Sequence, residues 1–249
     1  MRIMLVNDDG YRAPGLFAMA KELQARGHEV TVCAPDRERS AASHSFTITS
    51  PLKTHAFEED GVKGYAIDGT PADCARLGLF LLNYEVDMAV SGINRGANMG
   101  GACVYSGTVG AAMEAAMCGC PAIATSLDSF TTKDFAPAAR LTANFMDWAA
   151  RHPLPQGVIY NLNVPPLPYE EIKGVRRAKL APVFLGKAMY EKRRAPYEFD
   201  YYWLIDGENV PITDPESDHI ICKEGFATVT TLTWDIAHCG GMDRPEIEL

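Results

Sequence analysis

RIMLVNDDGYRAPGLFAMAKELQARGHEVTVCAP, residues 2–35, contains a complete strand–helix–strand unit. Arg2–Val6 is a short apolar run closed by Asn7-Asp8-Asp9-Gly10, which reads as a buried strand ending in a turn. Leu16, Met19, Ala20 and Leu23 follow at helical spacing, and Gly27 stops them. Glu29–Ala34 is a second apolar run, closed by Pro35. A strand, a covering helix and a second buried strand imply a parallel pair joined by a crossover.

The same alternation continues downstream. Thr70-Pro71 opens a helix, with Thr as cap and Pro at the first helical position. Val86–Val90 is a strand that leads into a Gly-rich loop. A helix starts near Thr108 and ends at Gly119. Pro121–Thr125, the amphipathic Phe135–Arg151 and Val158–Asn163 give strand, helix and strand again. The pattern predicts an α/β fold whose mostly parallel sheet is covered on both faces. Ligands of such sheets sit at the carboxyl ends of the strands.

After Pro165 the pattern changes. Pro165, Pro166 and Pro168 mark a connection. Arg176–Ala181 and Tyr197–Ile205 read as the arms of an extended hairpin, with the basic stretch Glu191–Arg194 between them. Ser217–Glu224 reads as a short capped helix, and Phe226–Leu232 alternates like a strand that can return to the core. The expected division is a catalytic core over 1–165 and a hairpin and oligomerisation region over 166–249.

Bulk properties narrow the function. The 23 basic and 32 acidic residues give a net charge of −9, so the basic footprint of a duplex nucleic-acid binder is missing. An acidic chain that handles an anionic substrate needs a local cation. The first apolar run is too short for a secretory signal and no window suits a membrane span, so the expected location is the cytoplasm. The seven cysteines include no Cys-x-x-Cys pair and read as reduced thiols. Cys118 and Cys120 lie close together, but structural zinc asks for four ligands.

Three loops at strand ends hold most of the unusual polar residues. In Asn7–Gly10, Asp8 and Asp9 are adjacent carboxylates, which raise each other's pKa unless a cation sits between them. Their oxygens suit a hard divalent ion such as Mg, Mn or Ca. Without a cation, the same loop reads as a helix-capping turn. Pro35–Ser43 offers hydroxyls and two guanidinium groups suited to phosphate. Ser91–Gly101 is glycine-rich and leads to Ser106-Gly107-Thr108 at a helix start, a ready anion site. Neither a Walker A loop nor a GxGxxG fingerprint is present. Acidic oxygens for a metal beside N–H donors for phosphate are what metal-assisted hydrolysis of a phosphate ester requires.

Together these stretches resemble the survival-protein SurE family of 5′/3′-nucleotidases. The resemblance is carried by NDDG at 7–10, APGL at 13–16, APDRERSAASHS at 34–45, DGTPADC at 68–74, SGINRGANMG at 91–100 and YSGTVGAAMEAA at 105–116. It implies a Rossmann-like three-layer core with a projecting hairpin. It also implies one divalent metal held by Asp8, Asp9, Ser40 and Asn94, and a homodimer or homotetramer built partly by exchange of C-terminal elements. The implied reaction is hydrolysis of nucleoside 5′- and 3′-monophosphates, with a side activity on polyphosphate. Asp8 or Asp9 would act as general base, and Asn98, Ser106, Gly107 and Thr108 would hold the phosphate. Gly101-Ala102-Cys103 departs from the acidic residues the family often carries there, which bears on the pocket rim.

Three alternatives stand beside this reading. A haloacid-dehalogenase-type phosphatase spaces its first carboxylates as Asp-x-Asp, whereas here they are adjacent. A nucleotide-sensing protein would bind without turnover. A dinucleotide-dependent oxidoreductase would want the missing fingerprint.

Overall fold

A computed structural model describes residues 1–182, 189–205 and 211–235. In chain order the elements are β1 (Arg2–Val6), α1 (Pro14–Ala25), β2 (Glu29–Pro35), β3 (Thr54–Glu59), β4 (Val62–Ile67), α2 (Pro71–Leu81), β5 (Met88–Arg95) and α3 (Gly107–Met117). Then come β6 (Ala122–Leu127), α4 (Ala136–Ala149), β7 (Val158–Val164), β8 (Val175–Arg177), β9 (Met189–Arg194), β10 (Asp200–Ile205), α5 (Asp218–Lys223) and β11 (Ala227–Thr233). Among the described residues nine strands form one sheet in the order β3-β4-β2-β1-β5-β6-β7-β11-β8. From β4 through β7 every pairing is parallel. β3 and β11 run antiparallel to β4 and β7.

Strand geometry explains the three layers. Successive side chains of β1 point to opposite faces. Ile3 and Leu5 join a core with Leu16, Met19 and Leu23 of α1 and Phe145 and Met146 of α4. Met4 and Val6 join the other core with Leu79 of α2 and Ala111 and Ala115 of α3. Both faces are apolar, so the central strand reads as an unbroken apolar run.

The helix starts follow their caps. Thr70 accepts from the Asp73 N–H while the Asp73 carboxylate takes the Thr70 N–H, a reciprocal box at the head of α2. Ser106 and Ser217 cap α3 and α5 through the N–H groups of Val109 and Ile220.

Two sequence expectations are corrected here. The basic stretch at 191–194 is no connector: it is part of β9, paired antiparallel with β10. The segment read as a strand at 176–181 is no hairpin arm. It supplies the three-residue β8, which runs parallel to β11 at the edge of the main sheet. β11 itself lies antiparallel to β7, so material beyond residue 165 completes the large sheet.

The sheet reverses its winding between β1 and β5. From β1 the chain moves outward through β2; it then crosses back to place β5 on the other side of β1. This switch point opens a crevice at the carboxyl ends of β1 and β5. β5 also carries one extra residue against β6 between Ser91 and Asn94, a bulge close to the carboxyl end of the strand.

Gly15 lets α1 sit directly on β5. A Cβ there would lie 2.1 Å from the Ile93 carbonyl oxygen. That backbone atom cannot yield cheaply, so Gly15→Ala is expected to cost roughly 3 kcal/mol, the upper end of overpacking. Thermal unfolding checks this. A variant that melts with the wild type would show that α1 lifts freely from the sheet.

Candidate active site

The loop after β1 is the centre of the site. Asn7 is fully buried, and its Nδ2 donates to the Gly10 carbonyl at 2.9 Å. Its Oδ1 is buried without a hydrogen-bond partner. Asp8 is also buried; its Oδ1 accepts from the Thr108 hydroxyl at 2.5 Å, and its carbonyl accepts from the Arg39 N–H at 2.7 Å. Asp9 is half-buried and its Oδ2 accepts from the Arg95 N–H at 3.2 Å.

Three adjoining segments are therefore tied to the tip of β1. They are the loop after β2, the end of β5 and the head of α3. Of the predicted residues, Asp8, Asp9 and Thr108 come together directly. Gly107 joins them closely, since a Cβ on it would meet Asp8 Cβ at 2.8 Å and Oδ2 at 3.0 Å.

The electrostatics follow from this crowding. Burial raises the Asp8 pKa, partly offset by the hydrogen bond from Thr108. Burial, then the charge of Asp8, raises Asp9 from 3.8 to about 6. Glu38 adds to the same negative field at both. Glu38 lies in the loop after β2 and also accepts from the Ser40 hydroxyl at 2.7 Å. Glu38 is visible in the sequence as a third carboxylate in a strand-end loop, but loop composition alone does not bring it to the Asp8–Asp9 pair.

Asn94 donates from Nδ2 to the Gly96 carbonyl at 2.8 Å. That contact leaves its acceptor oxygen as the end available to a cation. Among the described residues no group of three or more His, Cys, Asp or Glu is placed to hold a metal. The donor set that the sequence resemblance implies is of another kind: two carboxylates, a hydroxyl and an amide. All are oxygen donors, and burying two like charges together favours a cation between them. These residues fit a hard divalent ion.

The remaining predicted residues are placed as follows. Ser106 has its hydroxyl engaged with the Val109 N–H as the cap of α3. Thr108 has its hydroxyl on Asp8. At the helix head the Val109 N–H is taken by the Ser106 hydroxyl and the Thr108 N–H by Asp8, which leaves the Gly107 N–H as the first-turn donor without such a partner. Asn98 is buried; Nδ2 donates to Ser126 Oγ at 2.8 Å, and its carbonyl accepts from Asn161 and Asn163. It pins the loop after β5 to β6 and β7.

The two guanidinium groups in the loop after β2 face carboxylates. Arg39 lies 3.0 Å and Arg37 3.6 Å from Asp68. His44 pairs with the buried Glu114 at 2.8 Å, and Arg76 contacts the same carboxylate. Burial pushes Glu114 up, but the hydrogen bond from His44 and the charge of Arg76 overcome it and hold the carboxyl below its ordinary range. This cluster binds the loop that holds Ser40 to helix α3.

The six described cysteines are free thiols. Burial pushes Cys33, Cys103, Cys120 and Cys222 up to about 12.

Comparison with known proteins agrees with the geometry. The family model for survival protein SurE matches residues 3–185. The chain is 43% identical over 247 residues to a 5′-nucleotidase SurE of Gloeobacter violaceus, covering 97% of this chain and 93% of that one. It is 44% identical over 248 residues to one from Nitratidesulfovibrio vulgaris (strain DSM 19637 / Miyazaki F), covering 98% and 90%. The crystal structure of the SurE protein from Aquifex aeolicus superposes with a TM-score of 0.82 at 34% identity, covering 95% of each chain.

Proposed function

This chain belongs to the survival protein SurE family, and we propose that it hydrolyses nucleoside monophosphates at the crevice between β1 and β5. Curated relatives across nearly the full chain are 5′-nucleotidases, and this chain is a phosphomonoesterase of the same kind. The observation that carries the assignment of the site is the adjacent carboxylates of buried Asp8, held against the head of α3, and half-buried Asp9, held at the end of β5.

The proposed cofactor is one divalent ion, Mg, Mn or Ca, held by Asp8, Asp9, Ser40 and Asn94. When bound, it would neutralise phosphate charge and lower the pKa of an attacking water. The chain's own groups supply the rest. Thr108 fixes the orientation of the Asp8 carboxylate. The Gly107 N–H at the head of α3 holds a phosphate oxygen, with Ser106 shaping the turn as cap and Thr108, which gives both its hydroxyl and its backbone N–H to Asp8, tying that turn to the carboxylate. Asn98 positions the loop after β5 and offers its second amide N–H. Asp9, the less buried carboxylate, takes one proton of the water as its oxygen attacks phosphorus, the ester bond breaks, and the departing nucleoside oxygen is protonated by solvent to leave as the hydroxyl. Activity on 3′-monophosphates and on polyphosphate belongs to the same proposal.

The partner proposed beyond substrate is a second copy of the chain, as homodimer or homotetramer. Both strands of the β9–β10 hairpin are exposed along their whole length, Tyr202, Trp203 and Leu204 included. On this reading residues 166–249 serve oligomerisation and complete the sheet of the 1–165 core. Among the described residues no helix is long and apolar enough to cross a membrane. A cytoplasmic location and the absence of duplex nucleic acid as partner are part of the proposal, the latter supported by the net charge of −9.

Phosphate release from nucleoside 5′- and 3′-monophosphates, measured after EDTA treatment with Mg, Mn or Ca restored singly, tests this. The expected result is release with at least one ion and none without. The folded protein releasing nothing under any ion would sink it in favour of a nucleotide sensor. A stable phosphoaspartyl mimic formed with beryllium fluoride would favour the dehalogenase-type mechanism.

The cation should also raise the melting temperature, and more strongly above pH 6 than below it. Asp9 is raised in the folded state, so the native protein holds more protons than the unfolded chain between 3.8 and about 6. The charge penalty is absent at low pH and fully present above 6, where a cation relieves it. Below 6 the cation must first displace a proton. A stabilisation independent of pH would count against Asp9 as a ligand.

A further inference from the structure

A cavity of about 550 Å³ lies past the carboxyl ends of β5 and β6. Its walls include Ala97 and Met99 from the loop after β5, Asp128 and Phe130 from the loop after β6, and His219 and Lys223 of α5. The chain links it to the carboxylate pair through two consecutive residues. Arg95 gives its N–H to Asp9, and the next residue, Gly96, carries the Phe130 ring. A Cβ on Gly96 would lie 2.5 Å from a carbon of that ring, and the φ of +100° there suits glycine.

Phe130 is 78% exposed. A ring left that open adds little to the core, and its outer face is free to stack. The cavity around it is mixed. Met99 and Ala97 are apolar, Asp128 accepts hydrogen bonds, and Lys223 donates them. A nucleobase has this character, with an apolar π-face and a polar edge. The size also falls within the range of small-ligand pockets.

We propose that this cavity is the nucleoside subsite: the base stacks on Phe130 while the phosphate lies at Asp9 and the head of α3. The proposal rests on the phosphomonoesterase reading for its placement of the phosphate. It explains how a site whose charged centre sees only phosphate distinguishes a nucleotide from other phosphate esters. Asp128 stands at the polar edge, where it accepts an N–H or O–H of the nucleoside.

The test compares wild type, Phe130→Ala and Phe130→Tyr in calorimetric titrations with AMP and with ribose 5-phosphate, and in phosphate release from both. Because Phe130 is exposed, the substitutions leave the fold intact. Phe130→Ala is expected to weaken AMP binding and raise its KM roughly ten- to a hundredfold, the range of losing one base stack. Ribose 5-phosphate should be unaffected, and Phe130→Tyr should restore AMP. Equal losses for both ligands, or unchanged AMP affinity in Phe130→Ala, would overturn the subsite. Phe130-dependent AMP binding by a protein that releases no phosphate would leave the subsite standing and remove the hydrolase reading instead.

Discussion

Asp9→Asn is expected to lose roughly 10²–10⁴-fold in kcat, the range for removing a general base, and Asp8→Asn to lose at least as much. Neither change should unfold the protein, because Asn matches Asp in shape. The second readout is stability without metal. The wild-type carboxylate of Asp9 is held at about 6 by burial and by Asp8, so ionising it at neutral pH costs the native state. A neutral amide removes that cost. After discounting for the solvent that reaches Asp9, the metal-free Asp9→Asn protein should be more stable by roughly 1–2 kcal/mol. Adding the cation should then stabilise wild type but hardly the variant. An inactive protein that is also less stable without metal would mark the pair as structural. A folded variant with full turnover would sink the site altogether.

Gly107→Ala should have the next largest effect on turnover. Its Cβ would arrive 2.8 Å from Asp8 Cβ, 3.0 Å from Asp8 Oδ2 and 2.9 Å from Pro71 Cγ. Asp8 cannot move away without breaking the hydrogen bond from Thr108, and Pro71 is a stiff ring at the head of α2. The strain therefore falls on the geometry of the carboxylate and the helix head. A displacement of some tenths of an ångström up to one ångström at a reacting group is worth up to about a hundredfold in rate. We expect kcat to fall by about that factor, with KM changed less. Steady-state kinetics check this. Unchanged kcat would mean that α3 can slide away from β1, and that its first turn does not hold the transferring phosphate.

The parts of this molecule that were legible in the sequence share one physical property: their signal is local. Arg2–Val6, Val158–Asn163 and their neighbours are short apolar runs because both faces of a covered parallel sheet are dry. Thr70-Pro71 and Ser217 announced helices through the chemistry of their caps.

What was missed is either edge-like or long-range. The β3–β4 hairpin went unread because β3 is an exposed edge with little apolar patterning, although Asp60-Gly61 between the strands is a turn signal. The basic residues of β9 read as a connector because they look solvated, and as an exposed strand they are. In the site, the pairing of Arg37 and Arg39 with Asp68, and of Glu114 with His44 and Arg76, joins residues far apart in sequence. No spacing rule reports such pairs.

The hydrogen bonds that anchor the carboxylate pair also bear on how the chain folds. Thr108 is 100 residues from Asp8, and Arg95 is 86 residues from Asp9. Closing loops of that length is slow and entropically costly, so such contacts are made late on the folding route. Asp8 and Asp9 stay hydrated, well apart from any low-dielectric wall, until β5 and α3 have docked beside β1. Their mutual repulsion is therefore charged to the final consolidation of the sheet rather than to its nucleation. The nascent chain can grow through its first strands without meeting that barrier, and it cannot hold a cation at the finished site before the sheet has closed.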